Sequence, residues 1–389
     1  MEKVRIVIVG LHFGAAIVRQ LMELEARGAS PMEIVGICDL DPARFDVVER
    51  DTHRTFRRYA SLDEVLGDPA VEAVGLYIGP NGRAKVLRKI LAAGKDVMTT
   101  KPFETNPEEA AAVLAEVRRL GRVIHANSPS PGLPDDLATI RRWREGHALG
   151  RPISAYCESY ASYREVADGS WYDDPALCPV APVLRLGIYL LNDLVWLFGR
   201  AASVSVQESR IFTKRPTPDN AMLSIRFENG ALATVFASFC VRDGNPWQNQ
   251  LVAHFENGTV YRNMATVRRE DGGAELSLVC AKPGEEFPCA HHGEIAETAV
   301  ARTLTGTYDW EGFARAVRRE PGAPAYESDD LVVEPIRILR AMAEAERAGG
   351  VAAVQHDGPM GNGEPLRPCG PDNGEPISPY PSASPLGNL

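Results

Sequence analysis

The first third of the chain alternates short apolar runs with longer amphipathic segments. The apolar runs are typical of strands and lie at Val4–Val9, Glu33–Cys38, Thr55–Arg58, Val71–Tyr77, Asp96–Thr99 and Arg122–Ala126. Between them, apolar residues recur at helical spacing in Gly14–Ala26, Leu62–Leu66, Ala84–Ala93 and Pro107–Leu120. Strands that are apolar throughout are buried on both faces, so residues 1–127 are expected to form an α/β domain around a parallel sheet.

The pattern changes after Asn127. Strand-like runs then follow one another, at Ser203–Gln207, Ala221–Phe227, Ala231–Phe239 and Gln250–Phe255. Asn-Gly pairs at 229–230 and 257–258 favour hairpin turns, and helices are predicted over Trp310–Val317 and Leu331–Ala348. Residues 128–349 are therefore expected to form an α+β domain with a large, open, mostly antiparallel sheet. Residues 350–389 are rich in glycine and proline, which predicts a tail that is either disordered or lies on another surface.

The length, charge and cysteine content of the chain limit the classes of partner that it is expected to bind. With 389 residues the chain is too long for one ordinary core, which agrees with two domains and a tail. The net charge of −10 argues against binding nucleic acid or an anionic membrane and favours a small-molecule partner. Seven cysteines without a CxxC pair favour reduced thiols. No apolar run reaches bilayer length and no signal peptide opens the chain, so a cytoplasmic location is expected.

The turn after the first strand, in VRIVIVGLHFGAAIVRQL, is typical of dinucleotide binding except at one position. Such turns read G-x-G-x-x-G or G-x-G-x-x-A. Gly10 supplies the tight turn and Ala15 the small third position, but His12 replaces the middle glycine. A histidine there could donate a hydrogen bond to a phosphate, with Phe13 beside it. Gly10, His12 and Phe13 are therefore candidate cofactor-binding residues.

Asp39 follows the second strand, where a carboxylate can accept the ribose hydroxyls of a dinucleotide. A 2′-phosphate would be repelled there, so NAD is expected and NADP is the less favoured cofactor. The other interpretation is that Asp39 starts a turn or caps the helix after Pro42. Together with the sheet pattern, the turn and this carboxylate favour an N-terminal Rossmann domain that binds NAD(P).

Two later segments resemble the Gfo/Idh/MocA oxidoreductases. LYIGPNGRAKVLRKILAAGKDVMTTKPFE is similar to the family's TPNxxH…AGKHVxxEKP region. SWYDDPALCPVAPVLRLGIYLLNDLVWLFG is similar to the W-x-x-D-P…G-x-Y-x-x-N segment of the subgroup containing glucose–fructose oxidoreductase and dimeric dihydrodiol dehydrogenase. The resemblance covers nearly all of residues 1–350. It implies NAD(P) bound between the two domains, action on a sugar, cyclitol or sugar derivative, and homodimers or homotetramers built on the C-terminal sheet.

The resemblance also assigns residues. Lys101 corresponds to the lysine of EKP and Tyr189 to the catalytic histidine or tyrosine, while Pro80 and Asn81 correspond to the PN near the cofactor, which Lys101 also contacts. The substrate-binding residues expected are Asn127 and, from the second segment, Trp171, Arg185, Asn192 and Asp193. The chain departs from the family pattern at Thr100 for glutamate, Ala84 for histidine, Pro129 for a frequent arginine and Arg185 for aspartate.

The expected chemistry needs one proton-exchanging group, because the nicotinamide carries the hydride. We expect Tyr189 to exchange the proton and Lys101 to lower the pKa of its hydroxyl. A helix beginning near Val183 would place positions 185, 189, 192, 193 and 196 on one face, either toward a cavity or toward solvent. Arg185 is interpreted as a cation for an anionic substrate or, on the other interpretation, as a surface arginine.

The function predicted from the sequence is an NAD(H)-dependent sugar or cyclitol dehydrogenase or ketoreductase. Two alternatives remain: a non-catalytic relative that binds a dinucleotide or sugar, and an NAD-dependent glycosidase. The segment CAHHGE contains Cys289, His291 and His292, but no second ligand pair stands at useful spacing, so no metal site is expected.

Overall fold

A computed structural model describes residues 2–163, 165–245, 247–264, 269, 271–281 and 293–356 of the chain. The N-terminal α/β domain alternates strands and helices as the periodicity predicts. Its elements are β1 (Val4–Val9), α1 (Leu11–Ala26), β2 (Met32–Cys38), α2 (Ala43–Thr52), β3 (Arg58–Tyr59), α3 (Leu62–Gly67), β4 (Ala73–Leu76), α4 (Arg83–Ala92), β5 (Asp96–Thr99), α5 (Pro107–Leu120) and β6 (Ile124–Ala126). The six strands are all parallel, in the order β3-β2-β1-β4-β5-β6. The predicted doubly wound fold is confirmed.

Local signals explain where these helices begin and end. Ser61 caps α3, its side chain accepting the N–H of Glu64, and Asn106 caps α5 in the same way with Pro107 next to it. Helix α2 was foreseen only as the helix after Pro42 in one interpretation of Asp39 and was not recognised from periodicity, since only Phe45 and Val48 of its strongly polar sequence are buried. So narrow an apolar stripe gives little helical periodicity.

The second domain contains a nine-stranded sheet within the described residues. Its elements are α6 (Asp135–Gly146), β7 (Pro152–Tyr160), α7 (Ile188–Phe198), β8 (Ala201–Ser209), β9 (Asn220–Phe227), β10 (Leu232–Ser238), β11 (Gln248–Phe255), β12 (Gly258–Arg262), β13 (Ala274–Ala281) and β14 (Gly293–Ala301). The sheet is mostly antiparallel, as predicted, but β7 and β10 run parallel, so it is mixed. Helix α6 and the central strand β7 were not predicted.

The C-terminal helices α8 (Trp310–Val317) and α9 (Asp330–Ala348) connect the two domains. Trp310 and Phe313 of α8 are buried in the core on one face of the Rossmann sheet, and Ile336 of α9 packs into the core on the other face. Beyond α9, β15 (Val351–Ala353) pairs with β8, so the sheet extends into the first residues of the expected tail. Among the residues that the structure describes, no helix has the length and apolar character needed to span a bilayer.

Candidate active site

A cleft of about 1280 Å³ opens at the carboxyl ends of the Rossmann strands and is closed on its far side by the second domain. Its lining includes Val9, Asp39, Tyr77 and Lys101 from the first domain, and Trp171, Tyr189 and Trp247 from the second. Ligands of open parallel sheets bind at this edge. The cleft is therefore the candidate active site.

The first turn meets the requirements of a dinucleotide site. Gly10 has a φ of 87°, and a Cβ on it would lie 2.7 Å from the Tyr77 carbonyl oxygen, so no residue with a side chain fits there. His12 and Phe13 follow in the exposed first turn of α1 and line the cleft. This turn holds no acidic side chain of its own, but Asp39 accepts the N–H of Leu11, so an anionic group such as a pyrophosphate would bind the N–H groups that follow Leu11.

Asp39 faces the same turn. One of its carboxylate oxygens accepts the N–H of Leu11 at 2.6 Å and the other accepts the N–H of Asp41 at 2.9 Å. The bond from Asp41 shows that Asp39 starts a turn, as the second interpretation held. Asp39 does not cap α2, because the N–H of Ala43 at the start of that helix is accepted by Asp41. Each carboxylate oxygen keeps a further lone pair. Asp39 is therefore available to ribose hydroxyls in the cleft.

Pro80 and Asn81, both expected near the cofactor, have different surroundings in the structure. Pro80 lines the cleft, as expected of a residue near the cofactor. Asn81 instead donates to the carbonyl of Leu177 at 3.2 Å and accepts the hydroxyl of Thr105 at 3.2 Å. The contacts of Asn81 thus join the loop after β4 to the second domain.

Lys101 lies in the loop after β5, and this loop is held by two buried side chains. Arg83 donates to the carbonyls of Thr100 and Pro102, on either side of Lys101. Asn127, expected to bind substrate, accepts the N–H of Lys101 at 3.1 Å and donates to the carbonyl of Gly306 at 3.1 Å. In the structure Asn127 therefore holds the backbone of Lys101. Sequence reasoning did not identify Arg83, because an arginine at a helix start resembles any exposed one.

Lys101 and Tyr189 both line the cleft and contact each other there. The Lys101 ammonium lies over the Tyr189 ring, 4.6 Å from its centroid, and donates to the carbonyl of Arg185. Burial lowers the pKa of Lys101 to about 7, with help from the Arg185 and Arg83 cations. Burial raises the pKa of Tyr189 far above its usual value, so the expectation that Lys101 lowers it is wrong. The ammonium approaches the ring face, and desolvation of the phenol dominates.

Tyr189 is confined on two further sides. Its ring centroid lies 5.3 Å from that of Trp247. On another side, a Cβ on Gly306 would lie 2.8 Å from Cε1 of the ring, and Gly306 has a φ of 96°. The close approach of the loop to the ring therefore requires glycine at 306. Tyr189 is consequently fixed in the cleft with little room to move.

Arg185 lines the cleft, where a substrate-binding residue was expected. It is 8 % exposed and so is not a surface arginine. Its guanidinium donates to both carboxylate oxygens of Glu165, at 2.7 and 2.6 Å, and stacks 3.8 Å above the centroid of the Tyr172 ring. Arg215 also donates to Glu165, at 3.0 Å. The charge of Arg185 is thus already compensated by Glu165, which argues against a role in binding an anionic substrate.

Asn192 and Asp193 do not face the cleft, contrary to the expectation from helical spacing. Residues Val183–Gly187 form a π-helical turn before α7, which shifts Arg185 relative to the helix that follows. Asn192 and Asp193 lie one turn beyond Tyr189 on the same helix, and other side chains enclose them there. Asn192 donates to the hydroxyl of Ser128 at 2.7 Å, and Asp193 forms a buried ion pair with Arg262 at 2.8 Å. In the structure, both side chains bind other buried side chains of the protein.

The second domain supplies cleft residues that sequence reasoning did not identify. They are mainly aromatic and acidic: Tyr163, Glu165, Asp168, Tyr172, Trp247 and Tyr308. Trp171, which was expected, lines the cleft, and its indole Nε1 would lie 3.3 Å from a Cβ on Gly79. The aromatic residues between Tyr163 and Tyr172 were the one available signal, since clustered aromatics in a loop often line binding sites.

Cys178 lies buried in the second domain. Burial raises the pKa of Cys178 to about 12, so its thiol stays protonated and is no nucleophile. Cys289, His291 and His292 lie outside the described residues. Within the described ranges, no group of three or more histidine, cysteine or acidic residues could hold a metal ion.

Comparison with known proteins identifies the family. Residues 4–128 match the GFO/IDH/MocA model described as an oxidoreductase family with an NAD-binding Rossmann fold, and residues 137–261 match the GFO/IDH/MocA C-terminal domain. The chain belongs to the Gfo/Idh/MocA family. It thus carries the NAD-binding domain of these oxidoreductases, as the motifs around Lys101 and Tyr189 implied.

Relatives within the Gfo/Idh/MocA family are distant. An uncharacterized oxidoreductase of Schizosaccharomyces pombe is 33 % identical over 153 residues, 38 % of this chain and 40 % of that protein. The match thus spans less than half the length of this curated relative. An inositol 2-dehydrogenase of Acidothermus cellulolyticus is 25 % identical over 323 residues, 79 % of this chain and 87 % of that protein.

A solved structure shares the fold. Levoglucosan dehydrogenase, in a complex with NADH and levoglucosan, superposes with a TM-score of 0.70 and 16 % identity, covering 91 % of this chain and 100 % of that one. At this identity the likeness shows the arrangement of the two Gfo/Idh/MocA domains and no more.

Proposed function

We propose that the protein is an NAD(H)-dependent oxidoreductase acting on a secondary alcohol or ketone of a sugar, cyclitol or related polyol. The observation that carries the proposal is the position of the Lys101 amine beside the Tyr189 ring, 4.6 Å from its centroid, in a cleft that both domains line. An amine and a phenol buried at the carboxyl edge of a Rossmann sheet are placed for proton transfer to a substrate oxygen.

The residues present fit a dinucleotide. Gly10 lets the backbone pass where a Cβ would meet the Tyr77 carbonyl, and the exposed first turn of α1 can hold the pyrophosphate. Asp39 can accept ribose hydroxyls, and its charge opposes a 2′-phosphate, which favours NAD(H) over NADP(H). When bound, the nicotinamide supplies the hydride acceptor or donor. His12 replaces the usual glycine and offers the phosphate a ring N–H.

Lys101 is the residue proposed to exchange the proton. Its pKa of about 7 leaves much of the amine neutral near neutral pH, so Nζ can accept the proton of a substrate hydroxyl as the alcohol becomes a ketone. In the reverse direction the ammonium returns that proton to the new hydroxyl. Tyr189 remains a neutral phenol because its pKa is raised, and its O–H serves as a donor that orients the substrate oxygen.

The surroundings favour an uncharged polyol. Trp171, Tyr172 and Trp247 offer apolar ring surface to the C–H face of a sugar or cyclitol. Arg185 is compensated by Glu165, so it does not offer a free cation to a carboxylate or phosphate. The inositol and levoglucosan dehydrogenases among the similar proteins carry names consistent with a polyol substrate.

Removal of the Lys101 amine tests this function. With a substrate found by screening polyols and NAD, Lys101→Met is expected to lower kcat by about 10²–10⁴-fold, the usual contribution of general acid–base catalysis. Tyr189→Phe removes one oriented donor and is expected to cost about 10²–10³-fold. The dissociation constant of NADH, from fluorescence titration, should change little in both. Lys89→Met serves as the control, because Lys89 is an exposed lysine on α4.

The pH dependence has a defined sign. Since the neutral amine is the base, the rate of alcohol oxidation should rise with pH through about 7, and ketone reduction should fall over the same interval. Near-wild-type turnover of Lys101→Met on a confirmed substrate would overturn the proposal and leave the non-catalytic interpretation.

A further inference from the structure

Arg83 is a buried cation whose hydrogen bonds all go to neutral groups. It is 1 % exposed, and its guanidinium donates to the carbonyls of Ile78, Thr100, Pro102 and Phe103. Its Nε is buried without a hydrogen-bond partner among the described residues. Buried arginines ordinarily pair with a carboxylate. Arg83 keeps its charge beside the loop of Lys101 instead.

The nearby carboxylate of Glu104 is occupied elsewhere. It accepts the N–H groups of Gly82 and Ala84 at the start of α4, at 3.2 and 2.6 Å, and that of Thr105 at 2.7 Å. Glu104 forms no hydrogen bond with Arg83 in the described part of the chain and acts on it only through space, favouring its charged form. Arg83 has a pKa of about 10, lowered by burial, so it remains protonated at neutral pH.

The other groups that face Lys101 are compensated or neutral. Arg185 is paired with Glu165 through two hydrogen bonds. Tyr189 and Cys178 both have raised pKa values and carry no charge. No carboxylate in the described ranges forms an ion pair with Lys101. Arg185 and Arg83 both act on this amine, and of the two Arg83 forms no ion pair among the described residues.

We propose that Arg83 is a positioning residue of the reaction, which anchors the loop of Lys101 through its carbonyls and uses its charge to keep the Lys101 amine neutral. This inference rests on the proposed function, in which Lys101 accepts the substrate proton. A nearby like charge disfavours a second charge, and the Arg83 guanidinium is bonded to the carbonyls on either side of Lys101. Arg83 acts through Lys101 and does not itself touch the reacting atoms.

Competitive acetylation of Lys101 in the protein without substrate tests the inference. The rate of acetylation by acetic anhydride, followed by mass spectrometry, reports the neutral fraction of the amine at each pH. In the wild type the titration midpoint should lie near 7. Arg83→Gln keeps donor N–H groups and removes the charge, so the midpoint should rise by about one pH unit or more. Acetylation at pH 7 should then fall by about five-fold.

Three further variants separate charge from anchoring. Arg83→Lys keeps the charge and should hold the midpoint within about half a unit of the wild type. Arg88→Gln changes an exposed arginine on the same helix and should leave it unmoved. Glu104→Gln removes the carboxylate that acts on Arg83, so the titration midpoint of Lys101 should move downward. This variant provides a test of the inference even if Arg83→Gln does not fold.

Two results would overturn the inference. The first is an unchanged Lys101 midpoint in Arg83→Gln or in Glu104→Gln. The second is an equal rise of the midpoint in Arg83→Gln and Arg83→Lys, which would mean that Arg83 acts by anchoring the loop and not by its charge. The measurement needs no turnover. If the Lys101 midpoint does not move in Arg83→Gln but Lys101→Met is inactive, only the role of Arg83 is refuted. If Lys101→Met is fully active, the proposed function is refuted.

Discussion

Arg262 joins two buried carboxylates in the second domain, and its removal is the most informative stability test. It lies on β12, 2.7 Å from Asp136 of α6 and 2.8 Å from Asp193 of α7, and it also donates to the side chain of Asn249. The three charged side chains are 0 %, 0 % and 1 % exposed. This triad ties two helices to the sheet, one of them the helix that carries Tyr189.

The expected magnitude follows from charge and burial. Arg262→Met leaves two carboxylates buried without a cation, and loss of one partner of a buried pair costs about 3–5 kcal/mol. Asp193→Asn instead removes the excess negative charge of a cluster with two acids and one arginine, so at neutral pH it should change stability by no more than about 1 kcal/mol. Arg142→Met, at an exposed arginine of α6, is the control and should stay within about 0.5 kcal/mol.

The pH dependence of the same variants carries a sign. Burial raises the pKa of Asp193 to about 6, above the 3.8 of an exposed aspartate. The folded protein therefore binds an extra proton between these values, so this group's contribution to stability is present at low pH and is lost as pH rises through about 6. Relative to Asp193→Asn, the wild type should lose up to about 1.4 kcal/mol per pH unit in this window.

Urea unfolding followed by tryptophan fluorescence measures these free energies, since Trp143 lies buried on α6. The experiment would be run near pH 5 and near pH 7 with all three variants. Equal free energies of unfolding for Arg262→Met and Arg142→Met would refute the reasoning, as would a wild-type pH dependence that Asp193→Asn leaves intact.

Two further predictions concern the cofactor and the assembly. Asp39→Ala should weaken NADH binding and reduce the preference of the protein for NADH over NADPH, because the acceptor of the ribose hydroxyls and the charge that opposes a 2′-phosphate are lost together. Fluorescence titration with both cofactors measures this preference. Tighter binding of NADPH than of NADH by the wild type would contradict the prediction. The sheet face that exposes Tyr156, Met222 and Leu232 is expected to be buried in a homodimer or homotetramer. Leu232→Asp should then lower the mass seen by light scattering, whereas a wild-type monomer at micromolar concentration would refute the expectation.

Local periodicity was enough to predict the first domain. The strands β1, β2, β4 and β5 are apolar at nearly every position, and α1 and α5 carry wide apolar stripes with clear ends. These properties belong to the sequence of each segment, so they can be recognised without knowledge of the fold. Gly10 and Asp39 were recognised in the same way, because the turn and the strand end that they occupy are local features. Lys101 and Tyr189 were identified through motifs of similar local extent.

The protonation states and partners in the cleft were decided by tertiary structure. Arg185 meets Glu165 and Tyr172 only because the chain folds back, and Arg83 finds its carbonyl partners in a loop that lies far along the sequence. Asp193 is enclosed by Arg262 of a strand that lies far along the sequence, and so it does not reach the cleft. Burial then raised the pKa of Tyr189 and lowered that of Lys101, in the opposite sense to the pairing expected from sequence. Desolvation depends on what surrounds a group in three dimensions, and a residue's neighbours along the chain do not determine it.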